Sequence, residues 1–146
     1  MKEKNLLLVD DNDRYARLLE EHFAPKGYRI ERAETGAEGN EKLDAFAPLH
    51  FDVIVTDITM ESQAAGIYML GRIRRNQSDR FQGTLVVAST GFDVFGVMPL
   101  SRLFFRRYDT HYLVPKTTVI AEEPLFYPMP LFSKPTRDFV ELAAEN

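Results

Sequence analysis

The sequence predicts an α/β protein in which helices cover both faces of a parallel β-sheet. Three strongly apolar runs, at residues 6–9, 51–56 and 85–88, have the composition of strands that are buried on both sides. Segments with apolar residues at helical spacing lie between these runs. Strands that alternate with helices in this way are typical of βαβ units with right-handed crossovers, which stack into a three-layer sandwich.

The predicted elements follow one another closely through the first ninety residues. Asn12 and Asp13 are candidate helix N-caps behind the first strand, and a Pro-Lys-Gly sequence at 25–27 ends the helix that they begin. The weaker strand at 28–33 carries alternating charge. In chain order, the elements are a strand at 6–9, a helix around 15–23, a strand at 28–33, a helix at 37–46, a strand at 51–56, a helix around 67–73 and a strand at 85–88.

The chain changes in character after Gly96. No glycine follows this residue, and six of the eight prolines lie beyond it. An internal proline lacks a hydrogen-bond donor and clashes with the preceding turn, so the proline-rich run at 122–130 is not helical. The predicted elements in this part are a helix at 97–107, an extended segment at 111–114, a last strand at 131–133 and a closing helix at 136–145.

The helix at 97–107 is predicted to be amphipathic, with its apolar side against the sheet. The positions that we expect to face inward are Leu100, Leu103 and Phe104. Arg102 and Arg106 are expected to face solvent.

Composition excludes several classes of function. The 146 residues make one domain, and 22 acidic against 18 basic side chains give a net charge of −4, which disfavours non-specific binding to nucleic acid. The chain has no cysteine, so it has neither disulfides nor thiol catalysis. Only four apolar residues precede the first aspartates, too few for a signal peptide or a membrane span, so we expect a soluble, cytoplasmic protein.

Polar residues terminate the three best strands. Asp10 and Asp11 follow the first strand, Asp57 follows the strand at 51–56, and Thr90 follows the strand at 85–88. Ligands bind outside the carboxyl ends of the strands in open parallel sheets, so these side chains are expected to meet in one pocket. Carboxylates at short distance repel one another unless a cation lies between them. Oxygen ligands of this kind suit Mg²⁺, with a phosphoryl group completing its coordination.

These motifs, together with a Lys-Pro pair later in the chain, resemble those of a response-regulator receiver domain, as in chemotaxis regulators. The segments that carry the resemblance are residues 8–11, 53–60 and 89–91. The resemblance extends over nearly the whole chain and implies one receiver domain at 1–146. It also implies a flavodoxin-like (βα)5 fold with sheet order 2-1-3-4-5, and transfer of a phosphoryl group from a kinase histidine to an aspartate.

The resemblance assigns a role to each candidate site residue. Asp57 would be the phosphoacceptor, and its carboxylate would bind Mg²⁺ together with Asp10 and Asp11. Thr59 would add its backbone carbonyl to the metal site. The hydroxyl of Thr90 would bond the new phosphoryl group and move the following loop, which would switch a surface that binds a partner.

Two lysines resemble the one that contacts phosphate in this family. Lys134 precedes Pro135 and a predicted helix, whereas a proline-rich run follows Lys116. We favour Lys134 for this reason. The preference implies an insertion around the fourth helix and fifth strand, in the form of an irregular, proline-rich stretch at about 108–130.

The resemblance further implies a sensor histidine kinase or phosphotransfer protein as one partner and a downstream protein as another. We expect no direct binding to DNA or membrane, and a homodimer is one possible assembly. Such a chain is not an ordinary enzyme, since it would at most phosphorylate and dephosphorylate itself. Two alternatives stay open: an unphosphorylated pseudo-receiver that binds protein, and a phosphatase of the haloacid-dehalogenase type. Thr59 argues against the phosphatase, which needs an acid at that position.

Overall fold

The computed structural model describes residues 4–46, 50–57, 83–89, 97–106, 110–130 and 133–137. Its strands are β1 (Lys4–Val9), β2 (Tyr28–Ala33), β3 (Val53–Asp57), β4 (Thr84–Ser89), β5 (Tyr112–Pro115) and β6 (Tyr127–Pro128). Its helices are α1 (Asp13–Phe23), α2 (Gly36–Ala45), α3 (Val97–Arg106) and α4 (Lys116–Ile120). The helix predicted around 67–73 lies outside the described residues, as does nearly all of the one predicted at 136–145.

The strands form one sheet in the order β2-β1-β3-β4-β5-β6. The first five pair in parallel, and β6 pairs antiparallel with β5. The predicted α/β fold and the order 2-1-3-4-5 are therefore confirmed. Parallel pairing brings the carboxyl ends of β1, β3, β4 and β5 to the same edge.

Side chains of the central strands alternate between two apolar clusters, one on each face of the sheet. On β1, Leu7 and Val9 belong to one cluster, whereas Leu6 and Leu8 belong to the other. All four are at most 1% exposed. Full burial of such a side chain stabilises the fold by about 1.5–3 kcal/mol, which explains why these strands are continuous apolar runs.

Helix α1 begins directly after the aspartates that follow β1. The side chain of Asn12 accepts hydrogen bonds from the backbone N–H groups of Arg14 and Tyr15, at 3.0 and 3.1 Å. This N-cap satisfies donors that the first helical turn leaves without partners. The cap therefore fixes the direction of α1 relative to Asp10 and Asp11. No helix in the described ranges is long and apolar enough to span a bilayer.

The predicted orientation of α3 is wrong for its apolar residues and for Arg102, whereas Arg106 is exposed as predicted. Leu100 and Leu103 are 68% and 51% exposed, whereas Arg102 is only 4% exposed. The Arg102 guanidinium donates through Nη2 to the backbone oxygen of Ser133 at 2.9 Å and lies over the ring of Tyr127. Segments after β5 therefore supply the partners that let this arginine turn inward.

The proline-rich run at 122–130 lies after the fifth strand and not before it. Residues 108–130, predicted as irregular, contain β5, α4 and β6. Phe126, directly before β6, is fully buried and packs on Phe23 of α1. The predicted strand at 131–133 is not formed at Ser133, and its first two residues lie outside the described ranges. The stretch thus packs against α1 on one face of the sheet.

Candidate functional site

Three carboxylates meet at the carboxyl edge of the sheet. β1 and β3 are parallel neighbours, so Asp10, which follows β1, comes beside Asp57 at the end of β3. Asp10 and Asp57 are 1% and 3% exposed, and Asp11 is exposed. Carboxylate oxygens of all three residues lie within 4.8 Å of one another. The structure thus brings together the three aspartates that the sequence singled out.

A buried lysine lies between two of these carboxylates, and it is Lys116. Its Nζ atom donates to Oδ2 of Asp57 at 2.8 Å and lies 2.9 Å from Oδ2 of Asp10. Lys134 is exposed on the loop after β6. The preference for Lys134 at this position is therefore wrong. Lys116 directly follows β5, whose carboxyl end lies at the same edge as the ends of β1 and β3.

Burial and charge shift the pKa of both Asp10 and Lys116. Burial raises the pKa of Asp10, and the attraction of Lys116 offsets only part of this rise. Burial by itself lowers the pKa of Lys116, but the charge of Asp10 and the hydrogen bond to Asp57 outweigh it, so the net pKa is raised. Lys116 is therefore an ammonium at neutral pH.

Two further residues fix the position of Asp10. The backbone N–H of Asn12 donates to Oδ1 of Asp10 at 2.9 Å. Arg32 donates to the backbone oxygen of Asp10 through Nε at 3.2 Å and Nη2 at 3.1 Å, and its Nη1 lies 2.8 Å from Oδ1 of Asp13. Sequence reasoning missed Arg32, whose only signal was a charged residue on a strand that pairs with the first.

The ring of Tyr15 closes the lysine side of the site. The Nζ atom of Lys116 lies 4.2 Å from the centroid of this ring. Tyr15 is half-buried in the first turn of α1. The sequence placed it on the apolar stripe of the helix and gave no sign of a role beside the lysine.

The donor set at this edge fits a hard divalent cation. It consists of oxygen atoms from Asp10, Asp11 and Asp57, and the ammonium of Lys116 lies 2.9 and 2.8 Å from the carboxylates of Asp10 and Asp57. Mg²⁺ prefers oxygen ligands and binds through one or two carboxylates while it keeps several waters. Thr59 and Thr90, the other two predicted site residues, lie outside the described residues.

Asp10→Asn is expected to raise the melting temperature of the metal-free protein at pH 7 by a few degrees. Because the pKa of Asp10 is raised in the fold, its charged form costs stability. This cost is absent below the ordinary pKa of 3.8. It grows as the pH rises from 3.8 to the raised pKa of the folded protein, and it is complete at higher pH. Thermal melts between pH 4 and 8 test this, and an Asn variant that melts lower at pH 7 would contradict it.

A model of the response regulator receiver domain matches residues 6–95, a range that includes Asp10, Asp11 and Asp57. The chain belongs to the response-regulator receiver family. This confirms the resemblance seen in the sequence and identifies the protein as a receiver domain of two-component signalling. A search of curated proteins finds no match to this receiver.

Solved structures with the same fold are numerous, and three are representative. The Francisella response regulator 1452 receiver domain is 18% identical, with a TM-score of 0.61, over 82% of this receiver and 93% of that chain. The chemotaxis response regulator CheY4 of Vibrio cholerae is 18% identical, with a TM-score of 0.63, over 82% and 95%. A Burkholderia pseudomallei response regulator with a phosphorylated aspartic acid, a calcium ion and citrate is 19% identical, with a TM-score of 0.58, over 76% and 58%. These likenesses show a shared fold.

Proposed function

We propose that this receiver accepts a phosphoryl group on Asp57 from a phosphorylated histidine of a sensor kinase or phosphotransfer protein. The observation that carries the proposal is the burial of Asp57 beside two further carboxylates and the ammonium of Lys116. A carboxylate nucleophile with a lysine at hydrogen-bond distance is suited to phosphoryl transfer. The phosphorylated aspartic acid of the Burkholderia pseudomallei protein supports this chemistry in the same fold.

The transfer step exchanges one bond to phosphorus for another. An oxygen of Asp57 forms the new P–O bond as the P–N bond of the donor breaks. The electron pair of the broken bond returns to the imidazole nitrogen, which takes up a proton. Charge spreads over the equatorial oxygens of the phosphoryl group in the transition state, so the protein contributes mainly position and neutralising charge. Lys116, at 2.8 Å from Asp57, supplies one such charge.

Asp10, Asp11 and Asp57 would hold Mg²⁺ through their carboxylates. When bound, the ion neutralises charge on the phosphoryl oxygens and orients them. We assign the backbone carbonyl of Thr59 to the same site, because it follows Asp57 by two residues. Oxygen donors of both kinds are those that Mg²⁺ binds in proteins.

Thr90 is proposed as the residue that senses the phosphoryl group. It directly follows β4, the parallel neighbour of β3, and Asp57 pairs with Ala88 in the register of these strands. A phosphoryl group adds negative charge and strong acceptors, which a nearby hydroxyl can bond. Movement of Thr90 would carry with it the residues that lead to α3. The receiver would then signal through contact with a downstream protein, in the cytoplasm where its kinase is active.

Phosphoryl uptake is tested by intact-mass spectrometry after incubation with Mg²⁺ and acetyl phosphate. We expect a gain of one phosphoryl group that is stable in acid, labile in base, and lost in Asp57→Asn. Continuous release of phosphate from many monoesters would instead show a phosphatase. No mass gain in any condition would show a binding module that retains only the fold. Either of these two results would contradict the proposal.

A further inference from the structure

Within the described ranges, two carboxylates and one aromatic ring contact the ammonium of Lys116. The ring is that of Tyr15, whose centroid lies 4.2 Å from Nζ. A cation within about 6 Å of an aromatic centroid is attracted by the ring's quadrupole. The attraction grows when water is excluded, and Lys116 is only 2% exposed. The contact is therefore of the kind that orders a charged group.

Hydrogen bonds hold the backbone that carries this ring. The N–H of Tyr15 donates to Oδ1 of Asn12, the N-cap of α1, at 3.1 Å. The N–H of Asn12 in turn donates to the carboxylate of Asp10. Two hydrogen bonds through Asn12 thus link the backbone of Tyr15 to the carboxylate of Asp10, which contacts the same ammonium.

A lysine side chain has a flexible four-carbon stem and three donors on a compact charge. Asp10 and Asp57 attract the ammonium of Lys116 from the sheet edge. The ring of Tyr15 has no acceptor oxygen on its face, so it competes with neither carboxylate for the ammonium. The ring therefore adds a contact at Nζ that limits where the ammonium can move.

We propose that Tyr15 is a positioning residue, whose ring holds the ammonium of Lys116 against Asp57, ready for the incoming phosphoryl group. The inference rests on the proposed phosphorylation of Asp57 and adds to it a residue from α1. The simpler interpretation is that Tyr15 only fills the apolar stripe of the helix. That interpretation predicts that an aliphatic side chain of similar size serves equally well.

The contact itself is tested by NMR of the metal-free chain, with no phosphoryl donor present. A ring at this distance shifts the signals of the Lys116 ε-methylene protons upfield. We expect the shift to persist in Tyr15→Phe, which keeps the ring, and to vanish in Tyr15→Leu. Lys116 signals that are the same in the Leu variant as in the unchanged chain would overturn the inference.

The functional role is tested by the rate of phosphorylation with acetyl phosphate and saturating Mg²⁺. We expect Tyr15→Leu to slow the reaction by about 2- to 30-fold, the range that a cation–π contact supports, and Tyr15→Phe to retain the full rate. Tyr28→Leu is the matched control. This change also removes a half-buried ring that has a lysine over it, because Nζ of Lys4 lies 5.7 Å from the centroid of Tyr28. This second contact lies at the amino ends of β1 and β2, away from the site.

Three results would overturn the positioning role: an unchanged rate in Tyr15→Leu, an equal loss in Tyr15→Phe, or an equal loss in Tyr28→Leu. If the Leu variant melts below the assay temperature, Tyr15→Met replaces it, since methionine fills the space without a ring. A chain that gains no phosphoryl group in any form would overturn the proposed function, whereas the NMR shift would still decide the contact between Tyr15 and Lys116.

Discussion

Lys116→Met is expected to destabilise the metal-free receiver by about 3–5 kcal/mol, the usual result of removing one partner from a buried ion pair. The change leaves Asp10 and Asp57 buried together without the ammonium that lies 2.9 and 2.8 Å from them. Lys134→Met is the matched control, because Lys134 is exposed. Its effect should stay within about 0.5 kcal/mol. Urea unfolding of both variants measures the difference.

The pH dependence of this loss has a defined sign. The pKa of Lys116 is raised in the fold. The stability that this group contributes is therefore complete below its ordinary pKa of 10.5, and it is lost only as the pH rises through the pKa of the folded protein. The loss in Lys116→Met should therefore be full at pH 7. It should shrink in acid, where protonation of Asp10, whose pKa burial raises, removes one of the two charges that face the lysine. A larger loss in Lys134→Met than in Lys116→Met would contradict the assignment of the lysine.

Magnesium is expected to stabilise the receiver by about 2.7 kcal/mol at a concentration 100 times its dissociation constant. The melting temperature should then rise by about 5–10 °C for a domain of this size. The physical reason is that an ion shared by Asp10, Asp11 and Asp57 removes the repulsion among three carboxylates. Thermal melts across a magnesium titration measure the effect.

Asp11→Asn should weaken this stabilisation by magnesium, because it removes the exposed member of the three carboxylates. Asp44→Asn is the control, since Asp44 is an exposed acid on α2, away from the carboxyl edge of the sheet. We expect the control to keep the full magnesium-dependent rise. An equal rise in both variants would show that magnesium acts on general surface charge.

The strands and the acidic cluster were predictable because both follow from local pattern. Apolar runs gave β1, β3 and β4, and each run stopped at a polar residue. Since the strands pair in parallel, residues that follow β1 and end β3 had to meet. Asp10 and Asp57 thus came together through sheet geometry, without knowledge of side-chain packing.

The lysine could not be chosen correctly by the same reasoning. The preference for Lys134 assumed that a long helix must follow the site lysine. Here Lys116 begins a helix of only five residues, and buried Phe126 then covers the sheet. A short helix and a buried aromatic residue therefore follow the site lysine, where a long helix was assumed.

The orientation of α3 and the role of Tyr15 were missed for a related reason. Helical spacing identifies stripes on a helix but does not say what lies opposite them. Arg102 faces inward because the Ser133 carbonyl and the Tyr127 ring meet it there. Tyr15 contacts Lys116, which lies 101 residues later in the chain, only through tertiary packing. Neither contact leaves a signal in local sequence.

The most direct test is to locate the phosphoryl group on the chain. Borohydride reduces an acyl phosphate of aspartate to homoserine, which peptide sequencing by mass spectrometry can place. After treatment with Mg²⁺ and acetyl phosphate, we expect homoserine at position 57 alone, with Asp10 and Asp11 unchanged. Homoserine at another aspartate, or at none, would contradict the assignment of Asp57 as the phosphoacceptor.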